Sequence, residues 1–253
     1  MMFKDMHNME EPLILCNVWD ASSAKLAETI GFLAIGTSSA AIATNLGLED
    51  GENIRFEELL MTVRTIVNST HLPLTVDIEA GYGETPEAIV NNITKLVKLG
   101  VVGINIEDSN VLGKSRKLQD EVLFSEKLKE VKRRLIESDI DVFINVRSDV
   151  FLLNIENPVL SSINRIKRYQ RAGADGIFLP CLVDSDDIKA IVASTSLPVN
   201  VMCLPELPCF EKLKTLGIRR ISMGNFAHKV MLTALSSTLK AVKKEGSSKG
   251  LFT

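Results

Sequence analysis

Two stretches of this chain end apolar runs in acidic side chains: Val76-Asp77-Ile78-Glu79-Ala80-Gly81-Tyr82-Gly83 and Gly103-Ile104-Asn105-Ile106-Glu107-Asp108. In a strand, residues two apart face the same side. Asp77 and Glu79 therefore project together, as do Asn105 and Glu107. Oxygen donors of this kind suit Mg²⁺ or Mn²⁺ better than zinc. Asn145 and Arg147 repeat the polar-x-polar pattern, Asn200 adds another amide, and a further apolar run ends in Thr37-Ser38-Ser39-Ala40. Burying so many polar groups at neighbouring strand ends without a ligand would be costly, so a functional pocket is expected there.

Two segments outside the strands belong with this set. Asn45-Leu46-Gly47-Leu48-Glu49-Asp50-Gly51-Glu52 offers Asp50. Residues 109–120 are long, polar and basic, with Gly113, Lys114, Arg116 and Lys117, and have the makeup of a mobile lid loop.

The elements that must position these residues alternate. Strands are expected at 13–18, 33–37, 74–78, 102–106, 142–146, 177–179, 199–202 and 220–223. Amphipathic helices are expected at 21–30, 56–69, 86–99, 126–137, 158–171, 186–193, 209–216 and 226–243. Such alternation implies parallel pairing. Thr85-Pro86 and Asn157-Pro158 each set an N-cap residue before a proline at the first helical position, and Ser125 is a candidate cap for the fourth helix. Gly31, Gly100, Gly173 and Gly217 stand where helices need a left-handed C′ residue. A doubly wound open sheet is the rival, but Cys16-Asn17-Val18-Trp19-Asp20 is no glycine-rich phosphate turn. The fold class is therefore α/β, a (β/α)₈ TIM barrel in a single domain spanning residues 1–253, with residues 1–12 as a loose N-terminal arm.

Composition excludes several classes. A net charge of −3 argues against a nucleic-acid or anionic-membrane partner. No apolar run is long enough to span a bilayer, and residues 1–12 lack the apolar core of a signal peptide. Cys16, Cys181, Cys203 and Cys209 form no C-x-x-C pair, and His7, His71 and His228 show no ligand spacing. A cytoplasmic protein with free thiols is expected.

The chain resembles the isocitrate lyase/phosphoenolpyruvate mutase superfamily, in its shorter phosphonomutase-like branch. The resemblance is carried by Asn17-Val18-Trp19-Asp20-Ala21, Thr37-Ser38-Ser39-Ala40, Leu46-Gly47-Leu48-Glu49-Asp50, Asp77-Ile78-Glu79-Ala80-Gly81-Tyr82-Gly83, Gly103-Ile104-Asn105-Ile106-Glu107-Asp108, Asn145-Val146-Arg147-Ser148-Asp149, Ala172-Gly173-Ala174-Asp175-Gly176 and Leu197-Pro198-Val199-Asn200-Val201-Met202. It implies a metal-dependent barrel enzyme acting on a small 2-oxo acid through an enolate. It implies Asp77 as direct ligand to Mg²⁺ or Mn²⁺, with Asp50, Glu79 and Glu107 holding metal-bound waters. Ser38 and the N–H groups of Ser39 and Ala40 are implied as a carboxylate clamp, Arg147 as the substrate-binding cation and Asn200 as a further contact. Arg147, Asp50 and Glu107 are thus the expected catalytic residues, and Lys114 and Arg116 the lid residues.

Departures from the family pattern narrow the chemistry. The lyase lid motif K-[KR]-C-G-H is replaced by Gly113-Lys114-Ser115-Arg116-Lys117, and the mutase K-T-N-S is absent. Pro180-Cys181 stands where other members hold His or Glu, and nothing near Cys181 signals a lowered pKa. The leading expectation is a Mg²⁺-dependent C–C lyase or decarboxylase of an oxaloacetate-like 2-oxo dicarboxylate. The alternatives are P–C chemistry on phosphonopyruvate, of mutase or hydrolase type, and a non-catalytic metabolite-binding barrel. The family also implies a homo-oligomer, a dimer or tetramer, in which the last helix, 226–243, is exchanged between subunits. Its apolar stripe is Val230, Met231, Ala234, Leu235, Leu239 and Val242.

Overall fold

The computed structural model describes residues 2–113 and 115–252. Eight parallel strands close into a barrel: β1 (Leu13–Val18), β2 (Ile35–Thr37), β3 (Leu74–Asp77), β4 (Gly103–Glu107), β7 (Phe143–Arg147), β8 (Gly176–Phe178), β9 (Val199–Met202) and β10 (Arg220–Ser222). They pair in chain order around the ring, and β10 closes on β1 through Leu13↔Arg220. This is the expected (β/α)₈ architecture. The register sets Asp77 beside Asn105, Asn105 beside Asn145, and Glu107 beside Arg147. The polar-x-polar pairs thus share one end of one barrel.

Helices α1 (Ala21–Ile30), α3 (Phe56–Val67), α4 (Pro86–Val97), α5 (Glu121–Glu137), α6 (Pro158–Ala172), α7 (Ser185–Ala193), α8 (Phe210–Thr215) and α9 (Phe226–Glu245) lie close to the expected positions. A short α2 (Ser39–Asn45) follows β2 directly. Its start is capped by Ser38, whose Oγ accepts from the Ala41 N–H, a polar signal that reads equally well as a strand end. Thr85 caps α4 as its sequence suggests. Ser125 does not cap α5, because Asp120 starts that helix a turn earlier by accepting from the Val122 and Leu123 N–H groups. Asn157 stands before Pro158 in a left-handed conformation (φ 50°) and makes no side-chain cap. No helix is long and apolar enough to cross a membrane among the described residues.

The N-terminal arm is not loose. Phe3–Asn8 form a 3₁₀ helix whose Phe3, Met6 and His7 are buried. Phe3 meets Phe143 edge-on at 5.6 Å, and His7 stacks on the same ring at 4.3 Å. Phe3 and Met6 join Leu13, Leu15 and Ala34 in an apolar plug at the end of the barrel opposite the acidic residues. Burial pushes the His7 imidazole down to about 4, helped by the charge of Arg220, so it packs as a neutral ring.

Residues 109–118 are also more ordered in form than a loop. β5 (Ser109–Leu112) and β6 (Ser115–Leu118) pair antiparallel, with Val111 opposite Arg116 and Asn110 opposite Lys117. Gly113 supplies a left-handed residue (φ 61°) at the turn. Lys114, expected as a lid residue, lies outside the described residues.

Candidate active site

Strand ends β2, β3, β4 and β7 deliver the site. Ser38, Ser39, Ala40, Asp50, Asp77, Asn105, Arg116 and Arg147 line one cavity of about 260 Å³, together with Asn17, Phe178, Met202 and Ser222. Asp77 ends β3, and its N–H donates to Thr37 Oγ1 at 2.8 Å. The Ser39 hydroxyl reaches Asp77 Oδ2 at 3.4 Å. Ser39 and Ala40 open α2, so their N–H groups precede any helical acceptor. The hydroxyl of Ser38, by contrast, is engaged in capping.

Arg147 is held from two sides. Its Nε donates to Asp149 Oδ1 at 2.7 Å, and its Nη1 lies 3.4 Å from Glu107 Oε2. The face of its guanidinium stands 5.8 Å from the centre of the Phe178 ring. Arg116 enters from β6, with Nη1 on Asp149 Oδ2 at 2.9 Å, on Ser109 Oγ at 2.9 Å and on Glu107 Oε1. Its Nη2 lies 3.9 Å from Glu79 Oε2. The lid residue expected from sequence is therefore a fixed part of the site.

Glu79 and Glu107 both approach Arg116. Both line a neighbouring cavity of about 440 Å³ with Glu52, Glu84, Ser109 and Lys127. Glu79 takes a positive φ of 49°, a strained conformation for a non-glycine residue. Burial and the charges of Glu107, Asp50 and Asp77 push its carboxyl well above the usual range. Burial pushes Glu107 up to about 7, against the opposing pull of Arg147 and Arg116. Asp77 is raised by burial and by Asp50, with Arg147 pulling the other way.

Asn200 does not reach the cavity. It is buried one layer down, where Asn145 Nδ2 donates to its Oδ1 at 3.2 Å and its own Nδ2 bridges Val201 O and Ser222 Oγ. An inward residue two places from a strand end looks the same in sequence whether it meets substrate or the next amide. Cys181 has a positive φ of 66°, and burial raises its thiol, which fits packing rather than nucleophilic use.

Sequence reasoning missed Asp149 and Ser109 as site residues. Asp149 is fully buried and bonds both arginines. Its signal was available, because Asn145, Arg147 and Asp149 continue one alternation, as Asn105, Glu107 and Ser109 do. Beneath them Asp108 anchors the strand ends. It accepts from Arg165 at 2.9 Å, Ser148 at 2.7 Å, Tyr169 at 2.7 Å and the Asp149 N–H at 3.2 Å.

The donor set fits a hard divalent ion held sparingly. Asp77 and Asp50 share the 260 Å³ cavity, but no cluster of three metal-ligating side chains forms among the described residues. Two aspartates in one cavity suit an ion that takes one or two carboxylates and fills its shell with water and substrate, as Mg²⁺ does.

The family model of phosphoenolpyruvate phosphomutase matches residues 3–243. A Mycobacterium tuberculosis (strain CDC 1551 / Oshkosh) protein of unassigned activity is 34% identical over 248 residues, covering 96% of this chain and 89% of that one. Oxaloacetate decarboxylase 2 of Pseudomonas fluorescens (strain Pf0-1) is 27% identical, covering 92% of this chain and 80% of that one. The crystal structure of a candidate phosphonomutase from Burkholderia cenocepacia J2315 is 34% identical, with a TM-score of 0.88 over 94% of this chain and 97% of that one.

Proposed function

This chain belongs to the phosphoenolpyruvate phosphomutase family, within the isocitrate lyase superfamily, and on that premise we propose that it decarboxylates a small 2-oxo dicarboxylate of the oxaloacetate type. It is an enzyme of the lyase or phosphonomutase class. The observation that carries the reading is the pairing of Asp77 with Arg147 in one small cavity that the N–H groups of Ser39 and Ala40 also line.

Each residue has a task in that reaction. Arg147, steadied by Asp149, presents a planar fork to a substrate carboxylate. The Ser39 and Ala40 N–H groups face the same anion and are preorganised by α2. A divalent ion bound by Asp77, with Asp50 alongside, would supply Lewis-acid stabilisation of the charge that develops on the 2-oxo group. Loss of CO₂ needs no base to start it, which agrees with a lid that carries neither Cys nor His. Arg116, from the β5–β6 hairpin, lines the same cavity and adds a second guanidinium facing the anion. The oxaloacetate decarboxylase relative supports this substrate class.

A second reading, P–C bond chemistry on phosphonopyruvate, is favoured by one observation. Two guanidinium groups, Arg116 and Arg147, line the cavity, and paired guanidinium groups suit a phosphonate dianion. The test is a turnover assay of oxaloacetate and phosphonopyruvate with and without Mg²⁺, following pyruvate, phosphate and phosphoenolpyruvate. Pyruvate release from oxaloacetate above the rate with Mg²⁺ alone supports decarboxylation. Turnover of phosphonopyruvate only would replace it with the second reading.

For assembly, we propose exchange of α9 between subunits of a homo-oligomer. Val230, Met231, Leu235 and Leu239 are exposed on the protomer, and contiguous apolar surface of this kind favours a partner.

A further inference from the structure

We propose that Asp149 is a positioning residue that ties Arg147 to Arg116, so that one buried carboxylate sets both the closure of the β5–β6 hairpin and the orientation of Arg147. Its catalytic consequence rests on the decarboxylase reading above, whereas its structural consequence does not.

The geometry divides the carboxylate between its two cations. Oδ1 accepts from Arg147 Nε at 2.7 Å. Oδ2 accepts from Arg116 Nη1 at 2.9 Å and from Ser109 Oγ at 2.6 Å. Both hairpin contacts thus fall on one oxygen and the barrel contact on the other. Asp149 is fully buried, and its own N–H is fixed to Asp108, which Arg165 and Tyr169 hold from α6. The catch therefore stands on the barrel, while Ser109 opens β5 and Arg116 is the second residue of β6.

Glu107 shares Arg116 but is the weaker candidate for the coupling. Its approach to Arg147 is 3.4 Å, against 2.7 Å for Asp149. The close packing of Val111 on Gly51, where an added Cβ would sit 2.8 Å from the valine, gives the hairpin an apolar rest but no link to Arg147. Without Asp149 the two guanidinium groups would face each other with less compensation, and like charges in a buried site repel strongly. Arg116 stands on the hairpin and Arg147 on a barrel strand, so the repulsion would displace Arg116.

Hydrogen exchange of residues 109–118 by mass spectrometry tests this in the full-length protein, with Asp149→Asn, Arg116→Met and the double variant. Exchange in the hairpin should rise at least about tenfold in each single variant, with little change in the barrel strands. The double variant should exchange no faster than Asp149→Asn alone, because both changes release the same catch. On oxaloacetate, Asp149→Asn should raise KM more than Arg116→Met does, since it also frees Arg147. Wild-type hairpin exchange in a folded Asp149→Asn protein would overturn the proposal, as would additive effects in the double variant. Should Asp149→Asn fail to fold, unchanged hairpin exchange in Arg116→Met overturns it equally. Absence of oxaloacetate turnover by the wild type would count against the decarboxylase reading, and the exchange data would still decide the role of Asp149.

Discussion

Glu107 sets two physical effects against each other, and replacing it with Gln separates them. The side chain is 3% exposed, which disfavours its charge. It also touches Arg116 and lies 3.4 Å from Arg147, which favour the charge. Burial dominates, and the carboxyl rises from 4.5 to about 7. A carboxyl with a raised native pKa holds its proton longer in the folded state, so between these values the folded protein binds more protons than the unfolded chain. The stability this group contributes is present in full below about pH 4.5 and is lost as the pH rises through about 7. The span from 4.5 to about 7, at about 1.4 kcal/mol per pH unit, caps the loss at about 3 to 4 kcal/mol. A glutamine does not titrate. Urea unfolding of wild type and Glu107→Gln in metal-free buffer, from pH 4.5 to 8, should show the wild type losing up to about 3 to 4 kcal/mol relative to the variant. A flat difference would refute the reasoning. A difference that grew in favour of the wild type would mean that Arg116 and Arg147 outweigh burial.

Other substitutions probe the site more directly. Asp77→Ala should abolish Mn²⁺ binding in calorimetry while leaving the melting temperature unchanged or higher, because the lost carboxylate is one that burial and Asp50 destabilise; Mn²⁺ bound with wild-type affinity would remove Asp77 as the ligand. Arg147→Lys keeps the charge but loses the fork held by Asp149 and Glu107, and kcat/KM on oxaloacetate should fall at least about tenfold, about 1.4 kcal/mol. Truncation after Asn225 removes α9, and light scattering should then show aggregates where the full-length protein gives a discrete oligomer; a full-length monomer at micromolar concentration would refute helix exchange.

Much of the barrel was legible because strand and helix signals alternate and the caps agree with them, as at Thr85-Pro86 and Gly31. Glu107 was legible for the same reason, since a period of two sets it on the strand face of Asn105, whereas Glu79 lies past the end of β3 at a φ of 49° and lines the neighbouring cavity rather than that of Asp77. What failed did so where local sequence leaves the face undetermined. Lys114, Arg116 and Lys117 look equivalent in a polar loop. Antiparallel pairing decides among them by setting Arg116 opposite Val111, on the side that packs toward Gly51 and the site. The N-terminal arm failed because Phe3 and Met6 are too few to announce an element. Their partners, Leu13, Leu15 and Phe143, come together only once the barrel closes.

Charge accounting in the barrel mouth joins these observations. Asp50, Asp77, Glu79, Glu107 and Asp149 face Arg116 and Arg147, with Arg220 buried below. Among the described residues no carboxylate lies within ion-pair distance of Arg220, and its Nη2 reaches Asn105 Oδ1 at 3.3 Å. Burial lowers it to about 10, and Asp77 is the acid that acts against that from above. With every group ionised, these carboxylates exceed the guanidinium groups, and Glu52, Glu84 and Lys127 beside Glu79 add one more negative charge, a surplus that a divalent ion reduces. Excess negative charge is also among the causes that raise Glu79, through Glu107, Asp50 and Asp77. A surplus that raises Glu79, beside a cavity that Arg147 and the start of α2 also line, is the electrostatic profile of a site suited to a cation and an anion together. On the proposed function, the negative surplus draws the metal first and the bound metal then favours the 2-oxo acid, an ordered encounter.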